Sequence, residues 1–86
     1  MKVIVPSQLL SYTRRASQVQ VEGNTLVEVL ADLDRQFPGL RFRIIDEQDE
    51  IRPHIRIFVN QETARSLEFA LKPEDEIRII GAISGG

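Results

Sequence analysis

Cysteine is absent from this chain. Its absence excludes disulfides, iron–sulfur ligation, thiolate zinc sites and a cysteine nucleophile, and it fits a reducing compartment. A basic surplus is missing as well: 11 Lys and Arg stand against 13 Asp and Glu, for a net charge of -2. Neither nucleic acid nor a membrane surface is therefore expected as a partner. No apolar run approaches membrane-spanning length, and Met1-Lys2-Val3-Ile4-Val5-Pro6 meets a proline too early for a signal sequence. The expectation is a cytoplasmic protein. Histidine occurs once, at His54. Metal ligation and general-base chemistry both need a constellation, so His54 reads as a surface residue at a strand edge.

What is present describes one small domain. A chain of 86 residues with 42% hydrophobic and 28% charged residues has the composition of a soluble globular unit. Lys2 to Tyr12 reads as a strand with an irregularity at Pro6, which lacks a ladder donor. Thr13 to Ala16 reads as a turn, and Ser17 to Glu22 as a second strand with Val19 and Val21 on one face. The pair makes an N-terminal hairpin that closes at Gly23. Thr25-Leu26-Val27-Glu28 has the form of a capping box, with Glu28 expected to reach back to the amide of the cap residue. Leu26, Val29, Leu30, Leu33 and Phe37 then recur at helical spacing until Pro38-Gly39 stops the helix.

Beyond that stop, Leu40 to Ile45 alternates and reads as a strand. Asp46-Glu47-Gln48-Asp49-Glu50 is an acidic run without the glycine turn and distal glutamate of a calcium loop, so a solvated loop is expected. His54 to Asn60 is another strand, with Ile55, Ile57 and Val59 on one face and Arg56 and Phe58 on the other. Gln61 to Arg65 reads as a turn, Ser66 to Lys72 as a mixture of brief strand and helical turn, and Pro73-Glu74-Asp75 as a turn. Glu76 to Ile80 is the last strand. A hairpin, one amphipathic helix and a further set of strands make an α+β fold. The arrangement expected is a β-grasp: a mixed sheet of four to five strands with one main helix packed on one face. Residues 1–80 form that domain, and residues 81–86 a tail ending in Gly85-Gly86.

Two terminal glycines occur by chance in about 0.5% of chains of average composition. Here they follow a hydrophobic strand after only four residues. Ile57-Phe58-Val59-Asn60, Asp75-Glu76, and the end Ile79-Ile80-Gly81-Ala82-Ile83-Ser84-Gly85-Gly86 resemble the ThiS/MoaD family of ubiquitin-like sulfur carriers, which includes the small subunit of molybdopterin synthase. The loop through Asp46–Pro53 is similar to the longer members, including a carrier that serves cysteine biosynthesis. Gly81-Ala82 stands where molybdopterin-type carriers usually show a proline pair.

The resemblance implies a protein that is not itself an enzyme. It implies that Gly86, with Gly85 beside it, is adenylated by an ATP-dependent, ubiquitin-activating-type enzyme, and that sulfur then converts Gly86 to a thiocarboxylate. A sulfur-acceptor synthase subunit would be the second partner. ATP would be used on the activating enzyme, and no cofactor or metal is expected on this chain. Partner binding is expected at Arg56, Phe58, Arg78 and Ile80 on the open sheet face and at Ile83 and Ser84 in the tail. The residues leave two other functions open: a protein modifier conjugated through Gly86, and a non-reactive β-grasp binding module. They also leave open whether the sulfur goes to molybdopterin, cysteine or thiamin.

Overall fold

The computed structural model describes residues 1–81. Its centre is a five-stranded mixed sheet in the order β2-β1-β5-β3-β4, built from β1 (Lys2–Ile4), β2 (Gln18–Gln20), β3 (Ile55–Val59), β4 (Glu62–Ala64) and β5 (Glu76–Gly81). β1 runs antiparallel to β2 and parallel to β5, while β3 runs antiparallel to both β5 and β4. Because side chains alternate across a strand, Val3, Val19, Ile55, Ile57, Val59, Ile77 and Ile79 all turn to one face and are buried. The helix α1 (Leu26–Gln36) supplies Leu26, Val29, Leu30 and Leu33 to the same core. This is the expected β-grasp, with the expected face of each long strand inside.

The start of α1 shows how its orphan amides are satisfied. Thr25 Oγ1 accepts from the Glu28 amide at 3.4 Å, and Glu28 Oε1 accepts from the Asn24 amide at 2.7 Å. The reciprocal bond thus goes one residue upstream of the cap, not to the cap amide expected from the sequence. The Leu26 and Val27 amides donate to the carbonyls of Phe69 and Leu67, at 3.0 and 2.8 Å. This accounts for the ambiguous stretch 66–72, which forms no standard strand and serves as a backbone lid on the helix N-terminus. Gly23 lies so close to that first turn that a Cβ would sit 2.9 Å from Glu28 Cβ and Val29 N.

Four segments differ from the sequence expectation. Leu40–Ile44 is a second short helix, α2, not a strand. An alternating pattern buries Leu40, Phe42 and Ile44 together, whereas here Leu40 and Ile44 are buried one helical turn apart and Phe42 is 53% exposed. Asp34 Oδ1 accepts from the Gly39 and Arg41 amides, and Gly39 adopts φ 97°, which turns the chain directly from α1 into α2. The first strand ends at Ile4, because Pro6 opens a 3₁₀ helix over Ser7–Tyr12 that buries Leu9. The supposed turn at 61–65 contains β4, which pairs with β3 through a two-residue connection, Asn60-Gln61. β5 itself runs one residue past Ile80, so Gly81, counted with the tail in the sequence reading, is paired in the sheet.

Asn60 sits in the left-handed region at φ 56°, and its side chain ties the β3–β4 turn to the start of β5. Its Nδ2 donates to Asp75 Oδ1 at 3.0 Å, and its Oδ1 accepts from the Glu76 amide at 3.0 Å. The Asn60 amide donates to the Glu76 carbonyl at 2.8 Å, and Asp75 Oδ2 accepts from the Lys72 amide at 2.8 Å. The Lys72 amide, and after it the Asn60 amide group, hold the Asp75 carboxyl below its ordinary range. Asn60→Ala removes two side-chain hydrogen bonds and the residue type that tolerates this φ; it is expected to cost about 1–3 kcal/mol in denaturant unfolding. Because the folded pKa of Asp75 is depressed, its stabilisation is full above the unfolded carboxylate range and is lost as pH falls through the folded value. Asp75→Asn should therefore flatten the acid limb of stability against pH, with little change in slope near neutrality.

Candidate functional site

The face of the sheet opposite α1 carries the even-numbered residues of β1, β3 and β5. Register sets them in rows. Gln18, Ile4, Arg78, Phe58 and Thr63 lie side by side across all five strands, and Ile80 pairs with Arg56 in the next row toward the end of β5. The four residues read from the sequence as docking positions are therefore brought together: Arg56, Phe58, Arg78 and Ile80 form two adjacent cross-strand pairs. Ile80 is 41% exposed and Phe58 half-buried. Ile4, half-buried beside Arg78, belongs to the same patch and was missed by the sequence reading. Its alternation with buried Val3 and Val5 was the available signal.

The charges on this face are held differently. Glu76 takes Lys2 at 3.2 Å and Arg78 at 3.7 Å, so on the β1–β5 side one carboxylate answers two cations. Arg56 has no carboxylate partner among the described residues. Its guanidinium donates instead to the carbonyls of Pro53 and Ile55, at 2.9 and 3.1 Å. Exposed pairs of the first kind contribute little to stability, and they leave the apolar side chains as the face's principal contact surface.

At the end of this face, Gly81 pairs with Ile55. Its carbonyl accepts from Gln8 Nε2 at 2.8 Å. Gln8 lies on the 3₁₀ helix that Pro6 initiates, and Ser7 Oγ donates to Gln8 Oε1 at 3.4 Å. The segment misread as a continuing strand therefore grips the last paired residue of β5. Ile83, Ser84, Gly85 and Gly86 lie outside the described residues. Among the described residues no group of three or more His, Asp or Glu is placed to hold a metal ion, and no helix is long and apolar enough to cross a membrane. His54 is exposed just before β3, as expected from its isolation.

Comparison with known proteins agrees with this geometry. The ThiS family model matches residues 3–86. The sulfur carrier protein CysO of Mycobacterium tuberculosis is 30% identical over 89 residues, covering 98% of this chain and 96% of its own. Among solved structures, the Amycolatopsis orientalis BexX/CysO complex contains a chain that superposes with a TM-score of 0.91 at 27% identity, over 99% of this chain and 98% of that one. Mycobacterium tuberculosis CysO gives a TM-score of 0.89 at 26% identity, covering 95% and 98% of the two chains. The small archaeal modifier protein 1 of Methanosarcina acetivorans gives 0.82 at 29% identity, covering 99% and 94%. With a ubiquitin-like sheet whose last strand leads from an apolar, arginine-flanked face toward Gly85-Gly86, this chain belongs to the ThiS family.

Proposed function

We propose that this protein is a sulfur carrier, loaded at the α-carboxylate of Gly86. The observation that carries the reading is the path of β5: the strand that displays Arg78 and Ile80 on the open face is also the one that leads to the terminal glycines. Similarity to CysO over nearly the full length of both chains supports it. That similarity also favours, among molybdopterin, cysteine and thiamin, the carriers that serve cysteine biosynthesis.

The chemistry follows from the state of the end group. A free α-carboxyl ionises near pH 3.5, so at neutral pH it is an anion and a poor electrophile. Attack of this carboxylate on the α-phosphorus of ATP expels pyrophosphate and leaves an acyl-adenylate. A sulfur nucleophile then displaces AMP, and the product is a thiocarboxylate. The nucleotide and the catalytic groups belong to the activating partner. This chain's part is to dock and to reach: five residues beyond Gly81 span at most about 17 Å when extended. Glycine at 85 and 86 lets backbone approach backbone where a Cβ would interfere. Ile4, Phe58 and Ile80 are the contact surface for the activating enzyme, flanked by Arg56 and Arg78.

A second reading, conjugation of the same activated Gly86 to a lysine, is favoured by the likeness to a small archaeal modifier protein. The products separate the two. Intact-mass measurement after incubation with ATP, activating enzyme and a sulfur source should show one oxygen exchanged for sulfur; adducts larger than the protein would support conjugation instead. Addition of one residue after Gly86 should leave folding unchanged and lower ATP–pyrophosphate exchange by about a hundredfold, the scale of cost for a misplaced reacting group. Exchange at the unmodified rate would overturn the reading. Ile80→Glu should raise the KM for this protein in that exchange by about tenfold, as loss of a central interface anchor does, with kcat little changed.

A further inference from the structure

The chain is acidic overall, yet its cations are unevenly answered. Lys2, Arg35, Arg41 and Arg78 each meet a carboxylate. Seven meet none among the described residues; Arg14, Arg15, Arg43 and Lys72 lie outside the groove, but Arg52, Arg56 and Arg65 all line one open groove of about 370 Å³ at the β3–β4 side of the sheet, with Pro53, Phe58 and Thr63. No acidic residue lines it. The carboxylates of Asp49, Glu50 and Glu68 line the neighbouring groove, which Arg65 also borders, and Asp49 there is engaged by Arg41 at 3.1 Å.

Two of the three guanidiniums are fixed without being neutralised. Arg52 lies 4.5 Å from the centroid of the Phe42 ring and donates through Nε to the Phe42 carbonyl at 2.8 Å. Arg56 donates through one terminal nitrogen to the carbonyls of Pro53 and Ile55. Ring faces and carbonyls orient a guanidinium but leave its charge and remaining N–H donors available, and those donors match carboxylates in a fixed fork. β4 pairs only with Ile57–Val59; beyond it the Ile55 amide donates to the Arg52 carbonyl at 2.9 Å and the Ile55 carbonyl accepts from Arg56, so the chain itself satisfies that stretch of edge. The groove is the notch where β4 has left the sheet edge, and what it offers a partner is guanidinium groups rather than free backbone.

We infer that this notch is a docking groove for an acidic segment of a protein partner, its carboxylates taken by Arg52, Arg56 and Arg65. The groove shares Arg56 and Phe58 with the open sheet face, so a protein seated on that face can reach it. The inference does not depend on the chemistry of Gly86, and it is tested without it. A hexaglutamate peptide titrated into the ¹⁵N-labelled full chain at low salt should give saturable shifts at the Nε–H signals of Arg52, Arg56 and Arg65 and at the amides of 55–58 and 63–65. These shifts should weaken as salt rises. Arg52→Gln with Arg65→Gln should weaken binding by about tenfold, at up to about fivefold for each exposed charge pair. Should the double variant not fold, Arg65→Gln alone decides, since no hydrogen bond of that side chain is lost among the described residues. Absence of shifts, equal shifts at Arg35 and Arg41, or undiminished binding by the folded variant would overturn the inference. So would inorganic phosphate saturating the same signals at lower concentration than the peptide, which would mark a small-anion site instead.

Discussion

The pairing of β5 between β1 and β3 is the constraint on which the rest of the molecule depends. A strand in the middle of a sheet can slip by one residue only by exchanging its entire buried set for its exposed one. Ile77 and Ile79 are almost wholly excluded from solvent, whereas Arg78 and Ile80 are exposed. A slip would turn both Glu76 and Arg78 into the core, and taking two charges out of water costs several kcal/mol per ion. The core thereby fixes which side chains are shown on the outer face. The Asn60–Asp75–Glu76 hydrogen bonds pin the same strand at its entrance, and Gln8 meets it at Gly81. Both ends of β5 are thus set by side chains far away in sequence, and the proposed docking face inherits its order from them.

What was legible in the sequence was legible because one period dominated. Leu26, Val29, Leu30 and Leu33 stand at helical spacing alone, and Ile55, Ile57, Val59, Ile77 and Ile79 at strand spacing alone, so each was assigned to the right element and to the buried side. Leu40-Arg41-Phe42-Arg43-Ile44 satisfies both periods, since residues 40 and 44 share a face in either structure. The decision falls to Phe42, whose ring covers Arg52 at the surface, and that contact has no signal in a linear chain. β4 was lost for a related reason. Its three residues, Glu62, Thr63 and Ala64, carry little hydrophobic pattern, and they are held chiefly by pairing with β3 through an Asn60-Gln61 turn that lacks the usual glycine.

The residues that carried the family resemblance divide into two kinds once they are placed. Asn60 and Asp75 hold the β3–β4 turn against β5, and Glu76 joins them through its backbone while its carboxylate holds Lys2 and Arg78 on the open face. They act on the fold and through it on the site. Phe58 and Ile80 stand on the face directly, with Ile4 beside them. Sequence similarity mixes these roles because turn geometry and surface chemistry are both written in single residues. Structure separates them because only one group is satisfied within the chain.

Gly81 deserves the same separation. Where a proline pair would stiffen the exit from the sheet by fixing φ, this chain has a residue with no such limit, yet one whose carbonyl is already engaged by Gln8 at 2.8 Å. A Cβ at this position would come within 3.2–3.4 Å of the Gln8 side chain, a contact that a flexible amide can relieve. Glycine here is therefore not demanded by space. The last paired residue is held instead by a side chain on the 3₁₀ helix, and that helix begins where Pro6 follows the three-residue β1. Pro6 thus bears on Gly81, the last paired residue of β5, through the helix that carries Gln8.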